Sequence, residues 1–201
     1  MTVRTDFQDG LARCAWVDDS TGYQRYHDDE WGRPVADDRS LFEQLCLEGF
    51  QSGLSWRTIL DKRDGFRRAF ADFDIDKVAR YTPARVDKLV LDAGIVRHRG
   101  KIEAVINNAQ RAREMRGQHG SLGAFFWRYE AQAGKRPAQP VSVSEQSQAL
   151  SKDLKKLGWK FVGPTTVYAF MQSVGMVNDH HPACHHHAAC ETARARFVRP
   201  A

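Results

Sequence analysis

Apolar residues in this chain recur at three- and four-residue spacings in one segment after another, with glycine or proline punctuating the series. That spacing gathers side chains on one face of a helix, whereas a half-buried strand requires strict alternation, which is almost absent here. Asp38 is placed to cap a helix with Leu41, Phe42, Leu45 and Cys46 inward, continuing towards Leu54. Ile59, Phe66 and Phe70 predict a further helix or pair, with Gly65 as the expected break. Thr82-Pro83 has the cap-then-proline order that opens a helix, and Val86, Leu89 and Val90 follow it. A long helix after Gly100 carries Ile102, Val105, Ile106 and Ala109, and Ser121 opens a short one with Leu122, Phe125 and Phe126. Leu150, Leu154 and Leu157 form a stripe ending at Gly158; Val167, Phe170, Met171 and Val174 form the last clear one, ending at Gly175. The expected fold class is all-α. Residues 134–145, GKRPAQPVSVSE, are the nearest thing to a linker, and residues 1–201 are expected to form one unit.

At 201 residues and 42% hydrophobic, the chain can bury an ordinary core without disulfides. Its 27% charged and 10% aromatic content excludes a disordered chain. Four cysteines are too few for a disulfide-built secreted scaffold. The polar start MTVRTDFQDG lacks a signal-peptide core, and no apolar run nears the roughly 20 residues that span a bilayer. A soluble intracellular protein with no membrane partner is expected. Thirty Lys+Arg against 25 Asp+Glu give +5, which suits a polyanionic partner without proving one. The charge is uneven: Asp18–Asp38 holds seven acids and two bases, Arg97–Arg116 six bases and two acids, and Lys152–Lys160 four bases and one acid. Each basic run also reads as a solvated helix face.

Cys14 and His27 near one end, with His180 and Cys184 near the other, supply two thiolates and two imidazoles. Such a set gives a closed tetrahedral zinc site with no position for water, hence a structural one. In HHPACHHHAAC, His181, His185, His186, His187 and Cys190 compete for the same role. Cys46 sits on an apolar stripe and reads as a small core residue.

Trp16, Tyr23, Tyr26 and Trp31 fall within sixteen residues of mostly polar chain, without the aliphatic filler of a core helix. They suit the wall of a pocket for a flat ligand, or the cap of a small core. Glu48 lies in the apolar stretch Leu45–Phe50, where an ionised carboxylate needs a partner or a function, and Trp56 follows the turn-like Gln51–Ser55.

These residues sit in RCAWV (13–17), YHDDEWG (26–32), LFEQLCLEG (41–49), QSGLSW (51–56), DAGIVRHRGKIEAVINNA (92–109) and LKKLGWKFVGPTTVYAFMQSVGMVNDH (154–180). Together the strings resemble the 3-methyladenine DNA glycosylase I family over about residues 13–184. The resemblance implies a helix–hairpin–helix glycosylase fold, with a structural zinc joining the N- and C-terminal segments, 14–27 and 180–184. By position it implies Cys14, His27, His180 and Cys184 as zinc ligands, which favours His180 over His181. It places the base pocket on Trp16, Tyr23, Tyr26, Glu48 and Trp56, with Trp31 nearby.

The hairpin, near 158–166, matches Phe161-Val162-Gly163-Pro164-Thr165-Thr166. Gly163 lets backbone approach a phosphate, and the following helix start offers free N–H groups, Thr165 among them. Lys160, with Lys155 and Lys156, adds salt-dependent attraction. A phosphate-binding P-loop at 94–101, on Gly94, Gly100 and Lys101, is discarded, because Ile102 fills the Ser/Thr position and no strand precedes it. Thr165 stands where lyase members of the superfamily carry lysine, and Asn178 where many carry a catalytic Asp, with Asp179 one residue displaced.

The implied activity is monofunctional hydrolysis of the N-glycosidic bond of 3-methyladenine in alkylated double-stranded DNA, freeing the base and leaving an abasic site. Glu48 is expected to recognise the cationic base, and Leu54 to wedge the gap in the stack. A monomer with about one zinc is expected, in the cytoplasm of a bacterial-type cell and with the nucleoid during repair. The alternative is a non-catalytic, zinc-stabilised DNA-damage-binding module.

Overall fold

The computed structural model describes residues 2–130 and 141–201, so residues 134–140 of the candidate linker lie outside the described ones. The described chain is mostly helical, as the stripes predict. Its strands are a two-residue antiparallel pair, β1 (Val3–Arg4) and β2 (Arg13–Cys14), in which Cys14 stands opposite Val3.

α1 (Thr21–Arg25) runs directly into a π-helical turn, Tyr26–Glu30, closed by Trp31 N–H donating to the Tyr26 carbonyl at 2.9 Å. α2 (Asp38–Gln51) is capped by Asp37, not Asp38: the Asp37 carboxylate accepts from Ser40 N–H at 2.9 Å. Asp38 instead accepts from Leu122 N–H at 2.7 Å, across 84 residues of chain. The helix stops at Gln51, short of Leu54, where the buried Lys101 ammonium takes the carbonyls of Phe50 and Ser52 at 2.9 and 2.6 Å. That contact occupies Lys101 and agrees with discarding a phosphate-binding loop there.

α3 (Trp56–Asp61) and α4 (Arg63–Ala69) break at Lys62. Gly65 does not break the helix; it lies inside α4, where a Cβ would stand 2.1 Å from the Gly94 carbonyl oxygen. Glycine is therefore required by close approach of two backbones. α5 (Ile75–Val78), α6 (Pro83–Leu89), the long α7 (Arg99–His119) and α8 (Leu122–Phe126) follow. α9 (Glu145–Lys156) begins at a Ser144/Ser147 capping box, and α10 (Pro164–Ser173) begins after Gly163. α11 (His187–Arg196) has no counterpart in the sequence reading, because it carries no apolar stripe: only Cys190 and Arg194 are buried.

α2 packs against α7, α8 and α10, and α10 against α9. Phe42, Phe50, Phe66, Phe70, Phe73, Phe126 and Phe170 are fully buried between these helices, each worth roughly 1.5–3 kcal/mol of burial. Cys46 is among the buried core residues, as expected. Among the described residues no helix is long and apolar enough to cross a membrane.

Most of the Arg97–Arg116 charge is spent internally. Arg99 pairs with Asp87, Arg111 with Glu114, and Arg113 and Arg116 with Asp76. The exposed lysines near the hairpin are Lys152, Lys155, Lys156 and Lys160, of which Lys156 also pairs with Asp153.

Candidate active site

The Cys14, His27, His180 and Cys184 side chains converge in the interior, their ligand atoms all within 4.8 Å of one another. Cys184 Sγ is 3.5 Å from His27 Nε2 and 3.5 Å from His180 Nδ1, and Cys14 Sγ is 3.8 Å from His180 Nδ1. The remaining ring nitrogens are also engaged: His27 Nδ1 on Asp28 at 2.7 Å, His180 Nε2 on the Trp31 carbonyl at 3.1 Å. Hydrogen bonds from Cys14, then His180 and His27, hold the Cys184 thiol well below the ordinary thiol range. A buried group able to hold a metal ion therefore lies where β2, the π turn and the segment after α10 meet.

Next to it opens a cavity of about 260 Å³ lined by Trp16, Tyr23, Tyr26, Trp31, Glu48 and Trp56. That is close to the lower end of small-molecule sites, about 300–1,000 Å³. The rings meet edge-on or tilted: Trp16 lies 5.3 Å from Tyr23 and 5.0 Å from Trp31, and Tyr26 lies 5.3 Å from Trp56. The π turn places Tyr26 in the cavity and, one residue later, His27 in the group able to hold a metal. The aromatic residues singled out in the sequence thus share one wall. Three lining residues carried no sequence signal: Gln51 at the end of α2, and Ala169 and Gln172 on α10. Trp56 Nε1–H is buried there without a hydrogen-bond partner among the described residues.

Glu48 sits on the inward face of α2, 5% exposed. Gln44 Nε2, one turn earlier, donates to its Oε1 at 2.9 Å, and no Lys or Arg pairs with it among the described residues. Burial pushes its carboxyl up to about 8, and the Gln44 hydrogen bond opposes this without overcoming it. The acidic Asp18–Asp38 stretch does not supply loose negative charge: Asp18 pairs with Arg57, Asp28 with Arg13, and Glu30 with Arg63. Glu48 is the cavity's one lining carboxylate among the described residues.

The displaced acid has a different place. Asp179 is buried and accepts from Tyr168 Oη and Gln172 Nε2, both at 2.7 Å, so it orients a lining residue without lining the cavity itself. Asn178 faces α11, donating to Glu191 at 2.6 Å.

Leu54 projects from the loop between α2 and α3, 38% exposed, between the lining residues Gln51 and Trp56. Gln51 Nε2 holds the Leu54 carbonyl at 2.9 Å. The hairpin between α9 and α10 is anchored on α7: Asn108 accepts from Lys160 N–H at 2.8 Å and donates to its carbonyl at 2.9 Å. Gly163 keeps an ordinary φ of −61°, and a Cβ there would meet nothing within 4 Å. Neither conformation nor packing among the described residues calls for glycine at this half-buried turn.

A helical scaffold that sets a ring-walled cavity around one buried carboxylate, beside a glycine hairpin, has the parts of a nucleobase-excising protein. The family model for methyladenine glycosylase matches residues 16–187, and the chain belongs to that family. DNA-3-methyladenine glycosylase 1 of Escherichia coli (strain K12) is 47% identical over 180 residues, covering 87% of this chain and 96% of that protein. A crystal structure of 3-methyladenine DNA glycosylase I superposes with a TM-score of 0.80 at 45% identity, covering 87% of this chain and 99% of the other. The Staphylococcus aureus 3-methyladenine DNA glycosylase I, solved for the structural basis of 3-methyladenine recognition, gives a TM-score of 0.81 at 37% identity, covering 87% and 96%.

Proposed function

We infer that this chain is a DNA-3-methyladenine glycosylase acting in base-excision repair, a monofunctional hydrolase of the N-glycosidic bond. The observation that carries the reading is Glu48: a buried carboxylate with no cationic partner among the described residues, set among aromatic faces. Such a site gains most from a flat ligand that brings its own positive charge.

Methylation at N3 gives the adenine that charge. When the bond from the sugar C1′ breaks, its electron pair passes to the base, which leaves neutral and needs no proton. Water then adds to C1′ and gives up a proton to solvent, leaving an abasic site. The residues have to extrude the base, hold it and exclude competitors. The faces of Trp16, Tyr23, Tyr26 and Trp56 attract a cationic ring by roughly 0.5–2 kcal/mol per contact. Glu48 accepts from the exocyclic amine, a charged hydrogen bond worth on the order of 1.5–3 kcal/mol. Too tight a grip on the departing cation would slow its departure, so Glu48 belongs mainly to recognition. No Lys stands at the hairpin position held by Thr165, which supports hydrolysis without a Schiff-base lyase step.

The DNA contacts are assigned to a helix–hairpin–helix element, α9–hairpin–α10. Gly163 and the Thr165 backbone receive a phosphate at the start of α10, Lys160 adds attraction, and Leu54 fills the gap left by the extruded base. The open space over Gly163 supports this, since the glycine leaves room for something outside the chain.

The ion is zinc, about one per chain. Zn–S near 2.3 Å and Zn–N near 2.0–2.1 Å give a tetrahedron with S···N edges of roughly 3.5 Å, and the S···N separations here are 3.5, 3.5 and 3.8 Å. Asp28 and the Trp31 carbonyl supply the outer hydrogen bonds that fix each imidazole's tautomer. With four ligands it ties the two ends of the chain and leaves the chemistry to the pocket. A small glycosylase of this kind has no evident use for a partner subunit, and the chain is assigned as a monomer. Multiple-turnover release of free 3-methyladenine from methylated duplex DNA tests the whole reading.

A further inference from the structure

We propose that Asp28, His185 and His186 form a second, outer metal site, which takes one exchangeable divalent ion of the zinc, nickel or copper class. The three ligand atoms lie within 4.8 Å of one another. His186 Nε2 stands 3.3 Å from Asp28 Oδ1, the separation expected of two donors roughly 2.0–2.2 Å from one ion. His185 and His186 place their ring centroids 3.9 Å apart, directly after Cys184. His185 Nδ1 donates to the Ala12 carbonyl at 2.8 Å, and its backbone N–H reaches the same oxygen at 2.9 Å. That contact fixes the ring and leaves Nε2 as the ligand atom, the outer support that metal-binding histidines commonly have.

Arg13 Nη2 lies 2.7 Å from both Asp9 and Asp28, so one guanidinium is shared by two carboxylates, and Arg33 donates to the Asp28 backbone carbonyl at 3.0 Å. Arg13 Nε is shared between the two Asp28 oxygens at 3.0 and 3.1 Å. Oδ1 also accepts from His27 Nδ1 at 2.7 Å, so it meets an ion with its remaining lone pair while Oδ2 keeps its bond to Nη2. The Asp28 and His186 side chains are each 17% exposed, whereas the inner four ligands are buried. Three protein ligands leave open positions for water, which makes this site exchangeable where the inner one is closed. Imidazole with carboxylate prefers this group of metals over calcium or magnesium.

The test uses full-length protein without an affinity tag, dialysed so that only tightly held ion remains, then titrated calorimetrically with nickel. Wild type is expected to take up one further ion per chain. The His185→Ala/His186→Ala double variant should keep the tight ion and the melting temperature, and lose at least tenfold in affinity for the further one. A His181→Ala/His187→Ala variant should bind as wild type does. Uptake of no further ion by wild type, undiminished uptake by the first variant, or loss in the second would each overturn the proposal. Absence of tight ion after dialysis would count against the inner zinc, and the outer site would then be read from the difference in nickel uptake between wild type and the His185→Ala/His186→Ala variant.

Discussion

His180 Nε2 lies 3.1 Å from the Trp31 carbonyl oxygen, and the two rings meet edge to face at 4.6 Å. Trp31 is at once a wall of the cavity and the outer support of a histidine in the buried group able to hold a metal. Losing the ion should therefore disturb the pocket as well as the chain ends. Cys14→Ser is expected to empty the metal site and cost about 3–5 kcal/mol, or roughly 10 °C in melting temperature. Base release should fall more than binding to undamaged DNA, because the hairpin lies on other helices. Elemental analysis, thermal melting and both DNA assays on the same preparation check this.

Glu48 should make the protein less stable as pH rises. The folded-state carboxyl titrates near 8, above its ordinary 4.5, because burial penalises the charged form. Below 4.5 it is protonated whether folded or unfolded. Between 4.5 and 8 the unfolded chain gives up the proton and the folded one keeps it, so stability is progressively lost, by on the order of a few kcal/mol. Glu48→Gln should thus match wild type in melting temperature near pH 4 and exceed it at pH 8.

The same titration sets activity in the opposite direction. The ionised carboxylate is the form that favours a cationic base, so kcat/KM for methylated DNA should rise with pH and level off above about 8. Glu48→Gln should flatten the profile and lower excision by roughly tenfold or more, the loss of a charged hydrogen bond of about 1.5–3 kcal/mol. A variant as active as wild type would remove Glu48 from recognition.

Gly163→Ala separates folding from DNA contact. Alanine has no clash to meet and accepts the φ of −61°. Its lower unfolded-state entropy roughly offsets the poorer helix cap, so melting should shift by only a few degrees. Affinity for duplex DNA should drop by about tenfold, with the salt dependence otherwise retained. Fluorescence anisotropy across a salt series measures both.

Leu54→Ala tests the wedge. The side chain is exposed and its loop is held by Gln51 and Lys101 through backbone carbonyls, so truncation should leave folding intact. Excision should fall several-fold while undamaged duplex binds as before.

The helices whose inward faces are aliphatic or phenylalanine could be read from spacing alone, as with the stripes of α2, α7, α9 and α10. The elements missed are those without such a face. α11 buries only Cys190 and Arg194, and α1 buries nothing. Gly65 looked like a helix break because composition cannot reveal that Gly94, twenty-nine residues later, presses its backbone against it. In the cavity, Glu48 and the clustered rings were conspicuous because their chemistry conflicts with their surroundings. Gln51, Ala169 and Gln172 were not, since a small or neutral polar residue on a helix raises no such conflict. Cys190, a competing ligand candidate in the sequence, is buried against the Trp31 carbonyl, 4.0 Å away.

The most direct measurement is chromatography of the bases freed from N-methylated duplex DNA by the zinc-loaded chain. The account predicts free 3-methyladenine in molar excess over protein, with abasic sites left in unbroken strands. Damaged DNA that is bound but yields no free base, or strand cleavage at each site, would contradict it.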